Sequence, residues 1–191
     1  MITAIILAAG ESKRFGSPKQ LAKINSQDTL IEYLIKTLKE TCIDEIIVVL
    51  GAYCEEIQKT LPKGIKISIN ENFQKGQTSS LKRGLKELSD DCKHFLVIPV
   101  DTPLMKTETI NEIINKFILS KADIGIPTYA GQKGHPPIYD IKLKDEILNL
   151  GDEEPLYHIN QKFAANTILI EVLDPGILIN INTPQDLEKL R

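Results

Sequence analysis

Ala4-Ile5-Ile6-Leu7-Ala8 runs directly into Ala9-Gly10-Glu11-Ser12-Lys13-Arg14-Phe15-Gly16-Ser17-Pro18-Lys19-Gln20-Leu21. The first five residues are apolar without a polar alternate, the pattern of a strand buried on both faces, as in a parallel sheet covered by helices. The string that follows ends the strand on small residues, which let the backbone come close to a ligand. Its N–H groups can bond phosphate oxygens, and Arg14 and Lys19 add positive charge. The combination reads as a cradle for a triphosphate. It is neither GxxxxGK[ST] nor GxGxxG, so neither a P-loop NTPase nor a dinucleotide-binding dehydrogenase is expected. A glycine turn with solvated lysines would account for Gly10 and Gly16, but not for the whole string.

Outward from this junction, short apolar, β-branched runs alternate with helical patterns. Strands are expected at Ala4 to Ala8, Glu45 to Leu50, Ile65 to Asn70, Phe95 to Val100, Ile124 to Thr128, Thr167 to Glu171 and Ile177 to Ile181. Ile31, Leu34, Ile35 and Leu38 fall on one face of a helix; Ile110, Ile113, Ile114, Phe117 and Ile118 repeat the pattern, and Leu81, Leu85 and Leu88 mark a third. Thr183-Pro184-Gln185-Asp186 supplies an N-cap, a proline at the first helical position and an acid in the first turn. The alternation predicts one domain over residues 1–191: a Rossmann-like three-layer α/β/α fold with an open, mostly parallel sheet. Between residues 129 and 161 Gly131, Gly134, Pro136, Pro137, Gly151 and Pro155 break the alternation. That segment is expected to hold loops or a small β subregion over the carboxyl ends of the strands, where ligands bind in open α/β sheets.

The composition narrows the classes. At 191 residues, 42% hydrophobic and 26% charged, the chain has a globular composition and the length of one domain. Lys plus Arg at 23 against Asp plus Glu at 26 leaves a net charge of -3, so no nucleic-acid or acidic-membrane binding is expected and phosphate contact must be local. The apolar runs fall far short of the roughly 18 to 20 residues that span a bilayer. No signal peptide is expected at Met1-Ile2-Thr3, and Cys42, Cys54 and Cys92, unpaired in number and spacing, are expected to be reduced and mostly buried. A cytoplasmic protein is the expectation.

Four further segments accompany the first: Gly76-Gln77-Thr78-Ser79-Ser80-Leu81, Pro99-Val100-Asp101-Thr102-Pro103-Leu104, Gly134-His135-Pro136 and Ile181-Asn182-Thr183-Pro184-Gln185-Asp186-Leu187. Asp101 follows a buried strand and faces the expected crevice; a carboxylate there suits Mg²⁺, and it also suits a turn. Gly76 to Ser80 opens a helix whose N–H groups and hydroxyls can hold an anion or read a base edge; Thr78 or Ser79 can equally cap that helix. His135 is open to a structural or a hydrogen-bonding role, and Asn180 and Asn182 to a polar turn or to metal ligation. His94 and His158 fit no zinc spacing and no role is expected of them.

These five segments, in this order, resemble the nucleotidyltransferases related to the molybdenum cofactor cytidylyltransferases and guanylyltransferases, over nearly the whole chain. The resemblance implies the fold of nucleotide-diphospho-sugar transferases and a Mg²⁺-dependent enzyme. Arg14, Lys19 and Asp101 would be catalytic, with the nucleotide on Leu7, Ala8, Ala9, Gly10, Gly76, Thr78, Ser79 and Ser80. It further implies an acceptor on Gly134, His135 and Pro136, and the metal on Asp101 and Asn182. Two departures stand out. Asn182 occupies a position where the cytidylyltransferases usually carry aspartate, and Gly151-Asp152-Glu153-Glu154-Pro155-Leu156 lacks the arginine of their Gly-Asp-x-Gly-Ala-Arg segment. Leu-Ala-Ala-Gly, where guanylyltransferases usually read Leu-Ala-Gly-Gly, favours CTP over GTP. The expected reaction moves CMP from CTP to molybdopterin and releases pyrophosphate, with a molybdenum hydroxylase as a possible client. A guanylyltransferase, a sugar-phosphate nucleotidyltransferase and a non-catalytic carrier of nucleotide or cofactor are the alternatives.

Overall fold

The computed structural model describes residues 1–190; Arg191, the end of the expected domain, lies outside the described residues. Eight strands form one mixed sheet: β1 Ile2–Ala8, β2 Glu45–Leu50, β3 Lys66–Ile69, β4 His94–Pro99, β5 Ile124–Tyr129, β6 Gln132–Lys133, β7 Ile138–Asp140 and β8 Thr167–Glu171. The helices are α1 Leu30–Lys39, α2 Cys54–Gln58, α3 Gln77–Leu85, α4 Thr107–Ser120, α5 Lys144–Leu148, α6 Tyr157–Lys162 and α7 Pro184–Glu188. β3, β2, β1 and β4 lie side by side and parallel, with Ile5 of β1 between Ile47 of β2 and Val97 of β4. The chain builds outward from β1 to β3 on one side and then crosses to β4 on the other. The reversal of strand order therefore falls between β1 and β4, and in open α/β sheets the ligand crevice opens at the carboxyl ends of that pair.

The unbroken apolar run of β1 is explained by burial on both faces. Ala4, Ile6 and Ala8 pack with Ile31, Leu34, Ile35 and Leu38 of α1 and with Ile110, Ile113 and Ile114 of α4. Ile5 and Leu7 point the other way, into the layer of Leu81 and Leu85 of α3, Ile147 of α5 and Ile159 of α6. A Thr29–Glu32 capping box starts α1. Gly84 sets how closely α3 lies on the sheet: a Cβ there would come within 2.6 Å of Ile5 Cγ2 and 3.0 Å of Val49 Cγ2.

Four expectations are corrected. Ile177 to Ile181 is not a strand: Pro175–Leu178 is a 3₁₀ turn, followed by irregular chain. Asp174 caps that turn and also accepts from Lys106 N–H and Thr109 Oγ1, while Gly176 packs so tightly on Leu104 that a Cβ would stand 2.3 Å from its carbonyl. The apolar residues there mark burial without strand pairing. Of the segment from 129 to 161, the part up to Asp140 enters the sheet itself and the remainder carries α5 and most of α6. Ile124, Gly125 and Thr128 pair with β8 on one side and with β7 or β6 on the other, so β6 and β7 are two antiparallel pieces of one strand, interrupted at Gly134 to Pro137. The third helix ends at Leu85, with Leu88 buried beyond it. Of the thiols only Cys92 is buried; Cys42 is exposed in the turn after α1 and Cys54 is partly exposed at the start of α2. Among the described residues no helix is long and apolar enough to cross a membrane.

Candidate active site

The loop after β1 is folded around one buried side chain. Gln20 has no exposed surface; its amide donates to the carbonyls of Ala8 at 2.9 Å and Gly10 at 3.0 Å. Its Oε1 accepts from Ser12 Oγ at 3.2 Å, and Ser12 Oγ accepts from the Lys19 N–H at 3.2 Å. With the carbonyls drawn inward, the backbone N–H groups of Gly10 to Arg14 donate to no acceptor within the described residues. Such a run of free donors, flanked by two cations, is suited to polyphosphate oxygens. Gln20 carried no periodic signal in the sequence; only its place inside the glycine-bearing string pointed to it.

Across the crevice, β4 ends in a turn closed by Thr102, whose N–H and Oγ1 both donate to the Pro99 carbonyl, at 3.1 and 2.9 Å. The turn projects Asp101 toward the loop, where its Oδ2 lies 2.6 Å from Lys19 Nζ. The Ile181 N–H donates to the Asp101 carbonyl at 2.8 Å and so brings the C-terminal segment alongside. There Asn182 Oδ1 accepts from the Arg14 guanidinium at 3.0 Å. Asp186 holds this segment in place by accepting from the N–H groups of Asn182 and Thr183 and from the Thr183 hydroxyl, and these bonds lower its pKa.

A cavity of about 340 Å³ opens between the strands, lined by Leu7, Ala9, Gly10, Lys19, Gly76, Ser80 and Asp101 from the predicted set. Gln20, Phe73, Gln77, Pro99 and Val100 complete its wall. Phe73 is brought there by Gly51, where a Cβ would come within 2.7 Å of Phe73 Cβ. A smaller cavity beside it is lined by Gly10, Arg14, Lys19 and Asn182. Three of the residues predicted to hold the nucleotide do not face these spaces. Ala8 is buried in β1. Thr78 is buried with its hydroxyl on the Glu154 carbonyl at 2.5 Å, and Ser79 donates to Gly76 O at 2.8 Å and accepts from Asn70 at 2.9 Å. Neither Thr78 nor Ser79 caps α3, whose N-cap is Gly76 without a side-chain bond.

Gly134 and His135 line a separate, more apolar cavity of about 610 Å³ with Ile126, Pro137, Tyr157 and Leu169; Pro136 is buried behind it. The His135–Pro136 peptide is cis. Burial pushes the His135 imidazole below its usual pKa, opposed by the charge of Asp101. Asp152, in the segment that lacks the expected arginine, is tied to Lys82 at 2.9 Å and Lys75 at 3.2 Å, away from this cavity. His94 packs edge-on to Phe117 and His158 pairs with Glu154 on the surface.

No cluster of three or more His, Cys, Asp or Glu side chains suited to a metal occurs among the described residues. The one carboxylate and one amide oxygen of Asp101 and Asn182 are hard donors that fit Mg²⁺ only if phosphate and water oxygens complete its shell.

The profile of the MobA-like NTP transferase domain matches residues 4–166. The chain is 24% identical over 202 residues to a probable molybdenum cofactor guanylyltransferase of Natranaerobius thermophilus, covering 100% of this chain and 95% of that protein. It is 32% identical over 115 residues to the bifunctional protein GlmU of Acetivibrio thermocellus, covering 60% of this chain and 25% of the other, so it spans only about a quarter of that relative. A solved nucleotidyl transferase from Methanothermobacter superposes with a TM-score of 0.83 at 26% identity, over 100% of this chain and 96% of that one.

Proposed function

Because the chain belongs to the MobA-like NTP transferase family, we propose that it transfers CMP from CTP to the phosphate of a molybdopterin acceptor and releases pyrophosphate. The observation that carries the reading is the meeting of the donor-lined loop, Lys19 and Asp101 around one cavity at the β1–β4 crevice. An acceptor phosphate oxygen attacks the α-phosphorus in line; the new P–O bond forms as the bond to the β-phosphate oxygen breaks, and pyrophosphate leaves with that electron pair. No covalent enzyme intermediate is needed, so the chain works by positioning and charge neutralisation.

The N–H groups of Gly10 to Arg14 receive the triphosphate, and Lys19 and Arg14 take up the charge that grows on the departing pyrophosphate. Gly76 and Ser80 hold the nucleotide from the opposite wall, and Gly134 and His135 bound the acceptor side. Asp101 and Asn182 hold Mg²⁺, which when bound neutralises phosphate charge. Delivery of the product to a molybdenum hydroxylase in the cytoplasm follows from that acceptor.

Ala9 lines the donor cavity, where a methyl takes up space that a glycine would leave to a purine, which supports the smaller pyrimidine. The name of the full-length Natranaerobius relative favours a second reading, GTP as donor. The test offers each of the four nucleoside triphosphates with Mg²⁺ and either molybdopterin or a sugar 1-phosphate, and reads pyrophosphate. Release with CTP and molybdopterin is expected. Release with GTP alone establishes the second reading, release only with a sugar 1-phosphate replaces the acceptor, and nucleotide binding without release under any condition makes the chain a carrier.

A further inference from the structure

The two oxygen donors assigned above to a metal are each engaged by one of the two cations assigned to the phosphates. Lys19 Nζ lies 2.6 Å from Asp101 Oδ2, with side chains only 16% and 18% exposed, and Arg14 donates to Asn182 Oδ1 at 3.0 Å. The pairing is one to one, on two segments joined by the Ile181 to Asp101 backbone bond.

We propose that Lys19 and Arg14 are built-in counter-ions for the metal-binding oxygens, so that a divalent cation enters this site only together with the nucleotide. The proposal rests on the reading of Asp101 and Asn182 as metal ligands. A divalent ion arriving alone must displace the ammonium from its carboxylate and leaves that charge unpaired beside itself at a pair partly shielded from solvent, where like charges repel more than in open water. It gains one carboxylate and one neutral amide, a poor exchange for its hydration shell. A triphosphate changes the balance, because it offers Lys19 and Arg14 new anionic partners. Those cations transfer to the phosphates, and Asp101 and Asn182 are left facing the ion that the nucleotide carries. By linkage, the metal must tighten the nucleotide by the same factor as the nucleotide tightens the metal.

The test measures Mn²⁺ binding by calorimetry and by electron paramagnetic resonance, with and without the non-hydrolysable α,β-methylene analogue of CTP. In the wild-type protein the analogue is expected to tighten Mn²⁺ by some tens-fold, within the usual span of coupling between two ligands. Lys19→Met is expected to strengthen the binding of Mn²⁺ alone by about tenfold, the reverse of what loss of a merely supporting residue does. Equal Mn²⁺ affinity with and without the analogue overturns the proposal, as does a folded Lys19→Met protein whose affinity for Mn²⁺ alone is unchanged. Should Lys19→Met fail to fold, Arg14→Ala, at an exposed position, must strengthen Mn²⁺ alone by a smaller factor, and no change there overturns the proposal equally. Failure of the underlying reading looks different: wild type and Asp101→Asn would then bind Mn²⁺ alike in the presence of the analogue.

Discussion

The side-chain amide of Gln20 donates to the carbonyl of Gly10 at 3.0 Å across the base of the loop that follows β1. By engaging that carbonyl and the one of Ala8, Gln20 ties down the loop in a shape in which the N–H groups of Gly10 to Arg14 meet no acceptor among the described residues. Gln20→Leu keeps the volume but removes the donor from the buried Ala8 carbonyl, at a cost of about 1 to 3 kcal/mol, and from the part-buried Gly10 carbonyl, at a smaller one. A lower denaturation midpoint is expected, with a rise in KM for the nucleotide larger than the fall in kcat. A variant with wild-type stability and KM would remove Gln20 from the account of the loop.

Lys19→Ala and Asp101→Ala are each expected to lower pyrophosphate release at least about a hundredfold, the scale on which loss of one preorganised charge contact acts in a dry site. The two losses should not add in the double variant, because the side chains share one contact. Normal release by either single variant would contradict the assignment.

The parts of this molecule that were legible in the sequence are those where one residue type has one physical use. The edges of β2 match the apolar run Glu45 to Leu50, because a strand buried between two neighbours tolerates little else. By contrast β8, which among the described residues pairs only with β5 and buries only Ile170, matches Thr167 to Glu171 through its β-branched residues. Thr183 caps α7 with Pro184 at its first position, as the capping chemistry requires. Ile177 misled, because full burial looks the same in a 3₁₀ turn as in a strand. The pieces β6 and β7 are too short for any periodicity to register. Within the site, the Lys19–Asp101 and Arg14–Asn182 contacts join residues 82 and 168 positions apart, and only the folded chain brings them together. Phe73 enters the cavity wall through its contact with Gly51, and nothing local announces that.

Gly84→Ala tests the coupling between packing and site. The new methyl meets Ile5 Cγ2 at 2.6 Å inside the core, so α3 must lift or Ile5 must shift, an overpacking cost of about 1 to 3 kcal/mol. Gly76 and Ser80 ride at the start of the same helix, and nucleotide affinity should weaken together with the denaturation midpoint. Unchanged affinity in a destabilised variant would mean that the helix start is held independently of its packed face.

Burial pushes the imidazoles of His94 and His135 below their usual value of 6.5. As pH falls past that value the unfolded chain takes up protons first, so it binds more than the folded chain and stability declines until the folded groups also titrate. Carboxylates such as Glu32, whose pKa is lowered chiefly by the Thr29 N–H, keep their contribution until about pH 4, below the histidine window. The melting temperature is therefore expected to drop between about pH 7 and about pH 5. A His94→Gln, His135→Gln double variant should show a flatter curve; an equally steep one would assign the drop to other groups.

Gly134→Ala separates the two sides of the crevice. A Cβ at this position would stand 2.6 Å from the Ile177 carbonyl and 2.8 Å from its Cδ1, so the chain between β6 and β7 must move outward. His135 moves with it, since its N–H bond to that carbonyl, 2.9 Å long, shares the same contact. The loop from Gly10 to Lys19 is organised by Gln20 and Ser12 and makes no hydrogen bond to this segment. If His135 bounds the acceptor, Gly134→Ala should raise the acceptor's KM while calorimetry finds nucleotide affinity within about twofold of wild type, the scatter expected when two distant sites do not couple. Loss of nucleotide affinity with an unchanged acceptor KM would reverse the assignment of the two cavities.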